Sequence, residues 1–414
     1  MTVTTSTNVM KKLSSKNIVS PKGFKAAGLH CGLKHKKKDL AILVSEVPAS
    51  VAGVFTTNAV QAAPLKVTKE VVYATKKMQA MIVNSGNANA CTGKQGVKDA
   101  QTMQALAAEK LGIAPDLVGV CSTGVIGEMM KLEPVANGIL QLEPKDNLES
   151  AIDFAQAILT TDTVMKNTSY STTVDGKEVI IAGVAKGSGM IEPNMATMLG
   201  FITTDANIES DVLQAALSTI TNLTFNAITV DGGDTSTNDT VVVLANGLAG
   251  NDSLTPEHPD WQNFYYTLQT VAEDLAKMIA KDGEGGATKL IEVEVVGAIS
   301  DEEARKIAKT VVGSPLVKTA VFGCDANWGG RIIAAVGYSG ATVDPDKITI
   351  QIGGATMVEN GEPIPFSEDE LIQILKMHEV KIYVSLGVGD GKGGHAWGCD
   401  LTYDYVQINA SYRS

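Results

Sequence analysis

Lys186-Gly187-Ser188-Gly189-Met190-Ile191-Glu192-Pro193-Asn194-Met195-Ala196-Thr197-Met198-Leu199-Gly200 is the stretch that decides how this chain is read. At Thr197 the glycines and the proline give way to Thr-Met-Leu-Gly-Phe-Ile-Thr-Thr. That is a mostly apolar run of strand character, and it stops at the turn formers Asp205-Ala206-Asn207. On these residues alone Thr197 fits an ordinary strand threonine. It fits a second chemistry as well. A threonine hydroxyl can attack the peptide bond before it, here Ala196–Thr197, and water then hydrolyses the ester so formed. The new chain would begin at Thr197, with an α-amine of pKa about 7.7–8.0 beside the hydroxyl it can deprotonate.

Outward from this point the hydrophobic pattern alternates between strand and helix. Glu178–Val184 reads as a strand carrying Lys186 towards Thr197. Leu40–Val44, Met81–Val83 and Leu117–Val120 read as further strands. Helical spacing marks Val97–Leu111, Leu132–Leu142 and Asn147–Leu159. Beyond Thr197, helices are expected at Ser210–Leu223 and Trp261–Ala280, and strands at Val241–Ala245 and Leu290–Val296. Ser300-Asp-Glu-Glu303 has the form of a capping box, and Leu401–Ala410 reads as a final strand. The fold class is α/β, with no internal repeat and no long linker.

With 414 residues the chain can bury a large core, and its length suits two or three domain-sized units. A formal net charge of −12 argues against general nucleic-acid binding. No apolar run approaches the roughly 20 residues of a membrane span, and no secretory h-region opens the sequence. Residues 1–38 hold nine Lys and no acid, but a transit peptide favours Arg, and only Arg305, Arg331 and Arg413 occur. A solvated leader, flexible over 1–16, is the simpler account, with the cytoplasm as the default location. The five cysteines are odd in number and lack a C-x-x-C, which fits reduced thiols. His395 and Cys399 lie four apart without further ligands, so no metal is expected. Gly389–Gly394 matches G-x-G-x-x-G formally, yet a strand follows where dinucleotide binding needs a helix. Neither a P-loop nor a G-x-S-x-G elbow is present.

The segment Lys186–Asp205 resembles the processing site of the ornithine acetyltransferase family, the bifunctional glutamate N-acetyltransferases of arginine biosynthesis. Other stretches resemble motifs of that family in the same order. They are Asn84–Ala90, Ser122-Thr123-Gly124-Val-Ile-Gly127, Thr160-Thr-Asp162-Thr, Lys281-Asp282-Gly-Glu284 through Lys289, Asp325–Arg331 and Tyr405–Ala410. The resemblance implies layered sheets with flanking helices, built by two fragments, 1–196 and 197–414, that arise by self-cleavage and fold together. It implies a nucleophile at Thr197, oxyanion donors at Thr123 and Gly124, and substrate contacts at Thr160, Lys186, Thr197, Glu284, Asn409 and Ser414. The implied reaction is ping-pong transfer of acetyl from N2-acetylornithine to glutamate through acetyl-Thr197, with no bound cofactor. Acetyl-CoA is a further acetyl donor for bifunctional members, and the assembly is two copies of each fragment. For the residues by themselves other readings stay open. Ser122-Thr123-Gly124 is also a common turn, Lys186 a strand end reaching solvent, Glu284 a loop acid, and Asn409 and Ser414 a tail. An N-terminal-nucleophile amidohydrolase or aminopeptidase, and an unprocessed small-molecule binding protein, are the alternatives.

Overall fold

The computed structural model describes residues 10–191, 198–326 and 329–410. Ala196, Thr197 and Ser414 lie outside them. Among the described residues, nine strands form one hydrogen-bonded path. They are β1 (Met10–Lys12), β2 (Phe24–Leu29), β3 (Leu40–Phe55), β4 (Lys77–Asn87), β5 (Val118–Val125), β6 (Lys166–Val174), β7 (Lys177–Lys186), β8 (Leu199–Thr204) and β9 (Thr240–Ala245). The order is β1-β6-β7-β8-β9-β3-β4-β5, with β2 also on β3. The pairs β8/β9 and β4/β5 are parallel.

The path doubles back within β3. Its first part, Leu40–Ser45, runs between β2 and β4, whereas Ser50–Phe55 pairs with β9. The register breaks between Val44 and Ala49, around Pro48, which has no amide proton to give a ladder. The two halves therefore stack face to face. Ala41, Leu43, Met81 and Val83 from one half share a core with Leu199, Phe201, Val242 and Leu244 from the other. Every residue of β8 and β9 is buried, which explains why both read as continuous apolar runs rather than alternating ones.

Helices close both outer faces. On the β7–β9 side lie α5 (Ser210–Leu223) and α6 (Trp261–Asp282). On the β4–β5 side lie α1 (Ala63–Glu70), α2 (Gly93–Leu111) and α3 (Leu132–Gln141). At one flank of the sandwich, α4 (Leu148–Ala157) inserts Phe154 edge-on to Phe201, ring centroids 5.6 Å apart. The result is helix, sheet, sheet, helix, in agreement with the layered α/β expectation.

Six more strands form a second sheet: β10 (Leu290–Ala298), β11 (Thr349–Ile352), β12 (Ala355–Glu359), β13 (Glu362–Pro363), β14 (Glu379–Ser385) and β15 (Lys392–Cys399), ordered β13-β12-β11-β14-β10-β15. Its apolar face packs on α7 (Asp301–Gly313), α8 (Pro315–Gly323), α9 (Gly329–Tyr338) and α10 (Glu368–Leu375). Ser300 caps α7 as expected, its hydroxyl accepting from the Glu303 amide at 3.1 Å.

Two expectations need correction. Leu401–Ala410 is not a strand: Tyr403–Ala410 forms helix α11, whose Tyr405 amide donates to the Thr402 hydroxyl at 3.3 Å. The alternating Tyr and Val suggested extended chain, and the hydroxyl at the start of the helix overrides that local preference. The strand after Gly389–Gly394 is instead β15, so the reason for setting dinucleotide binding aside still holds. The leader also ends earlier than expected. Met10–Lys12 pairs with β6, and the Leu13 amide donates to the Ser169 carbonyl at 2.9 Å.

Phe201 fills the middle of the inter-sheet core, so Phe201→Ala is expected to destabilise the protein by about 3–5 kcal/mol. The shift in urea midpoint, followed by tryptophan fluorescence, measures it.

Candidate active site

The strand ends place the candidate residues along one edge of the sandwich. Lys186, the last residue of β7, pairs with Leu199 at the start of β8, and Leu199 lies opposite Thr240 at the start of β9. The Met198 carbonyl accepts the Thr240 amide at 3.0 Å, so the residue after Thr197 is fixed beside β9. On the stacked half, β5 ends at the same edge with Ser122, Thr123 and Gly124. Asn238 Nδ2 donates to the Ser122 carbonyl at 2.8 Å and ties the two halves together.

Position 124 requires glycine. Its φ is +128°, and a Cβ there would stand 2.4 Å from the Gly86 carbonyl carbon and 2.6 Å from the Asn87 nitrogen. The backbone is held by a polar scaffold. Ser122 Oγ donates to Asn84 Oδ1 at 2.5 Å, and Asn84 Nδ2 donates to the Asn87 carbonyl at 2.8 Å. Thr123 is buried beside it.

A buried ion cluster gathers the other candidates. Lys166 Nζ lies 2.6 Å from Asp162 Oδ1 and 2.5 Å from Asp282 Oδ2, with all three side chains almost fully enclosed. Asp162 also accepts the Thr160 amide at 3.0 Å and the Gly187 amide at 2.7 Å. Asp282 accepts the amide and hydroxyl of Thr163. One ammonium thus joins the Thr160 loop, the Lys186–Gly187 strand end and the end of α6, where Glu284 follows in the turn Gly283–Gly285. Burial alone would raise the Asp162 carboxyl, but the Lys166 and Lys186 charges outweigh it and hold the carboxyl below its usual range. Lys34 reaches the same region, and burial, helped by the Lys37 and Lys186 charges, lowers it to about 8.

The stretch that contains Ala196 and Thr197 is anchored on both sides. Ahead of it, the Met190 and Ile191 amides each donate at 2.7 Å to Asp231, and the Val230 amide donates to the Ile191 carbonyl at 2.7 Å. Behind it, Met198 is held by Thr240. Next to Thr240 sits Asp239, 2% exposed, whose two carboxylate oxygens have no hydrogen-bond partner among the described residues.

The structure thus brings Thr123, Gly124, Thr160, Lys186 and the Glu284 turn together. Asn409 lies on α11, which packs against that turn: a Cβ on Gly286 would meet Asp404 Cβ at 2.7 Å. Its side chain is exposed and bonds within the helix, Nδ2 to the Tyr405 carbonyl at 2.9 Å. Sequence reasoning missed Lys166, Asp231, Asn238 and Asp239. The available signal was Asn238-Asp239-Thr240 set directly before the apolar run Val241–Ala245, a poor place for an acid without a task. Among the described residues one trio, Asp175, His258 and Asp260, brings ligand atoms within 4.8 Å. It lies at the other end of β7, and its atoms are hydrogen-bonded to one another and to backbone.

The sequence profile of the ArgJ family matches residues 25–414. The chain is 59% identical over 414 residues to the arginine biosynthesis bifunctional protein ArgJ of Geobacillus kaustophilus, covering 100% of both chains. It is 60% identical over 415 residues to the protein of that name from Halalkalibacterium halodurans, again covering 100% of both. Among solved structures, ornithine acetyltransferase from Mycobacterium tuberculosis in complex with ornithine is 34% identical. That match covers 45% of this chain and 98% of the other, with a TM-score of 0.42.

Lys166→Met would leave Asp162 and Asp282 facing each other without their shared cation and is expected to cost about 3–5 kcal/mol in chemical denaturation at pH 7. Because the folded value of Asp162 is depressed, its stabilisation is complete above about pH 4 and is lost as pH falls through that value. The gap in Tm between wild type and Asp162→Asn is therefore expected to narrow from pH 6 to pH 3.

Proposed function

The chain belongs to the ArgJ family, and from that premise we propose that it transfers the acetyl group of N2-acetyl-L-ornithine to L-glutamate through an acetyl-Thr197 enzyme. The observation that carries this reading is the convergence of Thr123-Gly124, Thr160, Lys186 and the Glu284 turn on the edge where Met198 begins β8.

In this mechanism the chain first cuts itself between Ala196 and Thr197. The Thr197 hydroxyl, deprotonated by its own freed amine, attacks the acetyl carbonyl of acetylornithine. Charge building on the carbonyl oxygen is stabilised by donors from Thr123 and Gly124, whose geometry is preset by the Asn84 and Asn238 contacts to Ser122. Ornithine leaves as the acetyl ester forms. Glutamate then enters, its amine attacks the ester, and N-acetylglutamate departs. Lys186 suits the α-carboxylate that donor and acceptor share, and Glu284 suits the side-chain ammonium of ornithine. The bifunctional naming of the relatives fits a second acetyl donor, acetyl-CoA, feeding the same acetyl-enzyme. We place the enzyme in the cytoplasm as two copies of each fragment. No helix of the described residues is long and apolar enough to cross a membrane.

Intact-mass measurement under denaturing conditions, with N-terminal sequencing, tests the reading. Two chains in place of one of 43.4 kDa are expected, one of them beginning Thr-Met-Leu-Gly. Thr197→Ala is expected to remain a single chain without transferase activity; a cut and active Thr197→Ala protein would overturn the mechanism. Gly124→Ala is expected to lower kcat by about 10²–10³-fold if it still folds. For the cut wild type, kcat/KM is expected to rise with pH through about 7–8 as the amine loses its proton.

A further inference from the structure

The amine that serves as base in the mature enzyme does not exist before the cut. In the uncut chain the Thr197 nitrogen belongs to a planar peptide group and has no lone pair to offer. Self-cleavage therefore needs another group to take the hydroxyl proton and to give one to the departing nitrogen.

The acids bordering the cut are few among the described residues, and most are engaged. Asp162 and Asp282 are committed to Lys166. Both oxygens of Asp231 hold the Met190 and Ile191 amides. Asp239 differs. Its backbone is clamped, with its carbonyl accepting the Thr56 amide at 3.1 Å and its neighbour Thr240 donating to the Met198 carbonyl at 3.0 Å. Its carboxyl is 2% exposed, and both oxygens lack hydrogen-bond partners among the described residues. The Met198 amide, whose nitrogen is bonded to the Thr197 carbonyl carbon, and the Thr56 hydroxyl lie near enough to pull on the Asp239 carboxyl. A buried carboxyl left unsatisfied costs the fold free energy, so its retention here calls for a use.

We propose that Asp239 is the proton carrier of the self-cleavage step. The assignment rests on the reading of Thr197 as the residue that cuts. As the Thr197 Oγ–carbon bond to the Ala196 carbonyl forms, the Asp239 carboxylate takes the Oγ proton. It returns that proton to the Thr197 nitrogen as the carbon–nitrogen bond breaks, leaving an Ala196 ester on Oγ and a free amine. Water then adds to the ester carbonyl, the carbon–Oγ bond breaks and Oγ regains a proton. Ala196 ends as a carboxylate, with one proton released. The surroundings of Asp239 suit both halves of this task. Burial pushes its carboxyl well above the usual range against the opposing pull of Lys186, the charged group that acts on it from the end of β7, and of the uncharged Met198 amide and Thr56 hydroxyl. Such a carboxyl is a stronger base when ionised and a usable acid when protonated.

The experiment follows cleavage of freshly made full-length chain by denaturing mass spectrometry, comparing wild type, Asp239→Asn, Asp239→Glu and Thr197→Ala. Circular dichroism melting verifies that each is folded. Asp239→Asn is expected to be cut about 10²-fold or more slowly than wild type, with partial recovery in Asp239→Glu. A folded Asp239→Asn chain cut at the wild-type rate would overturn the assignment. Should Asp239→Asn not fold, Asp239→Glu decides the matter. A folded Asp239→Glu chain cut at a rate clearly different from wild type supports Asp239, and one cut at the wild-type rate overturns it. A wild type that stays whole, or a Thr197→Ala chain that is cut, overturns the Thr197 reading itself and this assignment with it.

Discussion

The candidate site depends on a single buried ammonium. Lys166 sits between Asp162 and Asp282, out of reach of water, and each of these charges costs several kcal/mol to desolvate. A well-packed apolar trio could hold the same elements together at no such cost. What apolar packing cannot do is fix polar backbone. The two carboxylates spend their remaining acceptor capacity on the amides of Thr160, Thr163 and Gly187, three places where the chain leaves regular structure. A loop, a strand end and a helix end are thereby held in one relative position, the fixity that a preorganised site requires.

The sandwich supplies the rest. Because β3 bends at Pro48 and serves both halves, the ends of β5 and the starts of β8 and β9 meet at one edge, although they are distant along the hydrogen-bonded path. Helices cover the outer faces, so this edge is where backbone emerges from a packed frame. Glycine at positions 124 and 187, both with positive φ, lets the chain turn there without a side chain in the way.

Much of this was legible in the residues. The apolar runs that became β7, β8 and β9 and the amphipathic stretches that became α2, α5 and α6 declared themselves by period, since burial of one or both faces leaves a regular trace. Thr123, Gly124, Thr160 and Lys186 were picked out through motif resemblance rather than through any physical pattern of their own, and the structure places them along one edge. The doubling of the sheet was not legible, because a bend in one strand has no periodic signature. Lys166 and Asp239 were missed for a related reason. A charge in a strand, or just before one, reads as solvent-facing, and only the three-dimensional neighbourhood reveals that Lys166 points into a pocket of carboxylates. The helix α11 was misread because its aromatic and β-branched residues favour extended chain, and the Thr402 cap weighs little in a sequence pattern.

The interleaving of strands has a consequence for the history of the molecule. β7 precedes Thr197 in the chain and β8 follows it, yet they are hydrogen-bonded neighbours from Ile181↔Thr204 to Lys186↔Leu199, and β9 then pairs with β3, which also precedes it. Neither piece can keep its core without the other. While the chain is whole, finding that arrangement is a first-order event whose rate does not depend on dilution. After a cut at Thr197 it becomes an encounter between two molecules, each exposing strand edges and apolar faces until they meet. The covalent link would thus be needed once, for assembly, and an enzyme molecule that unfolded afterwards would have lost the means of finding its way back alone.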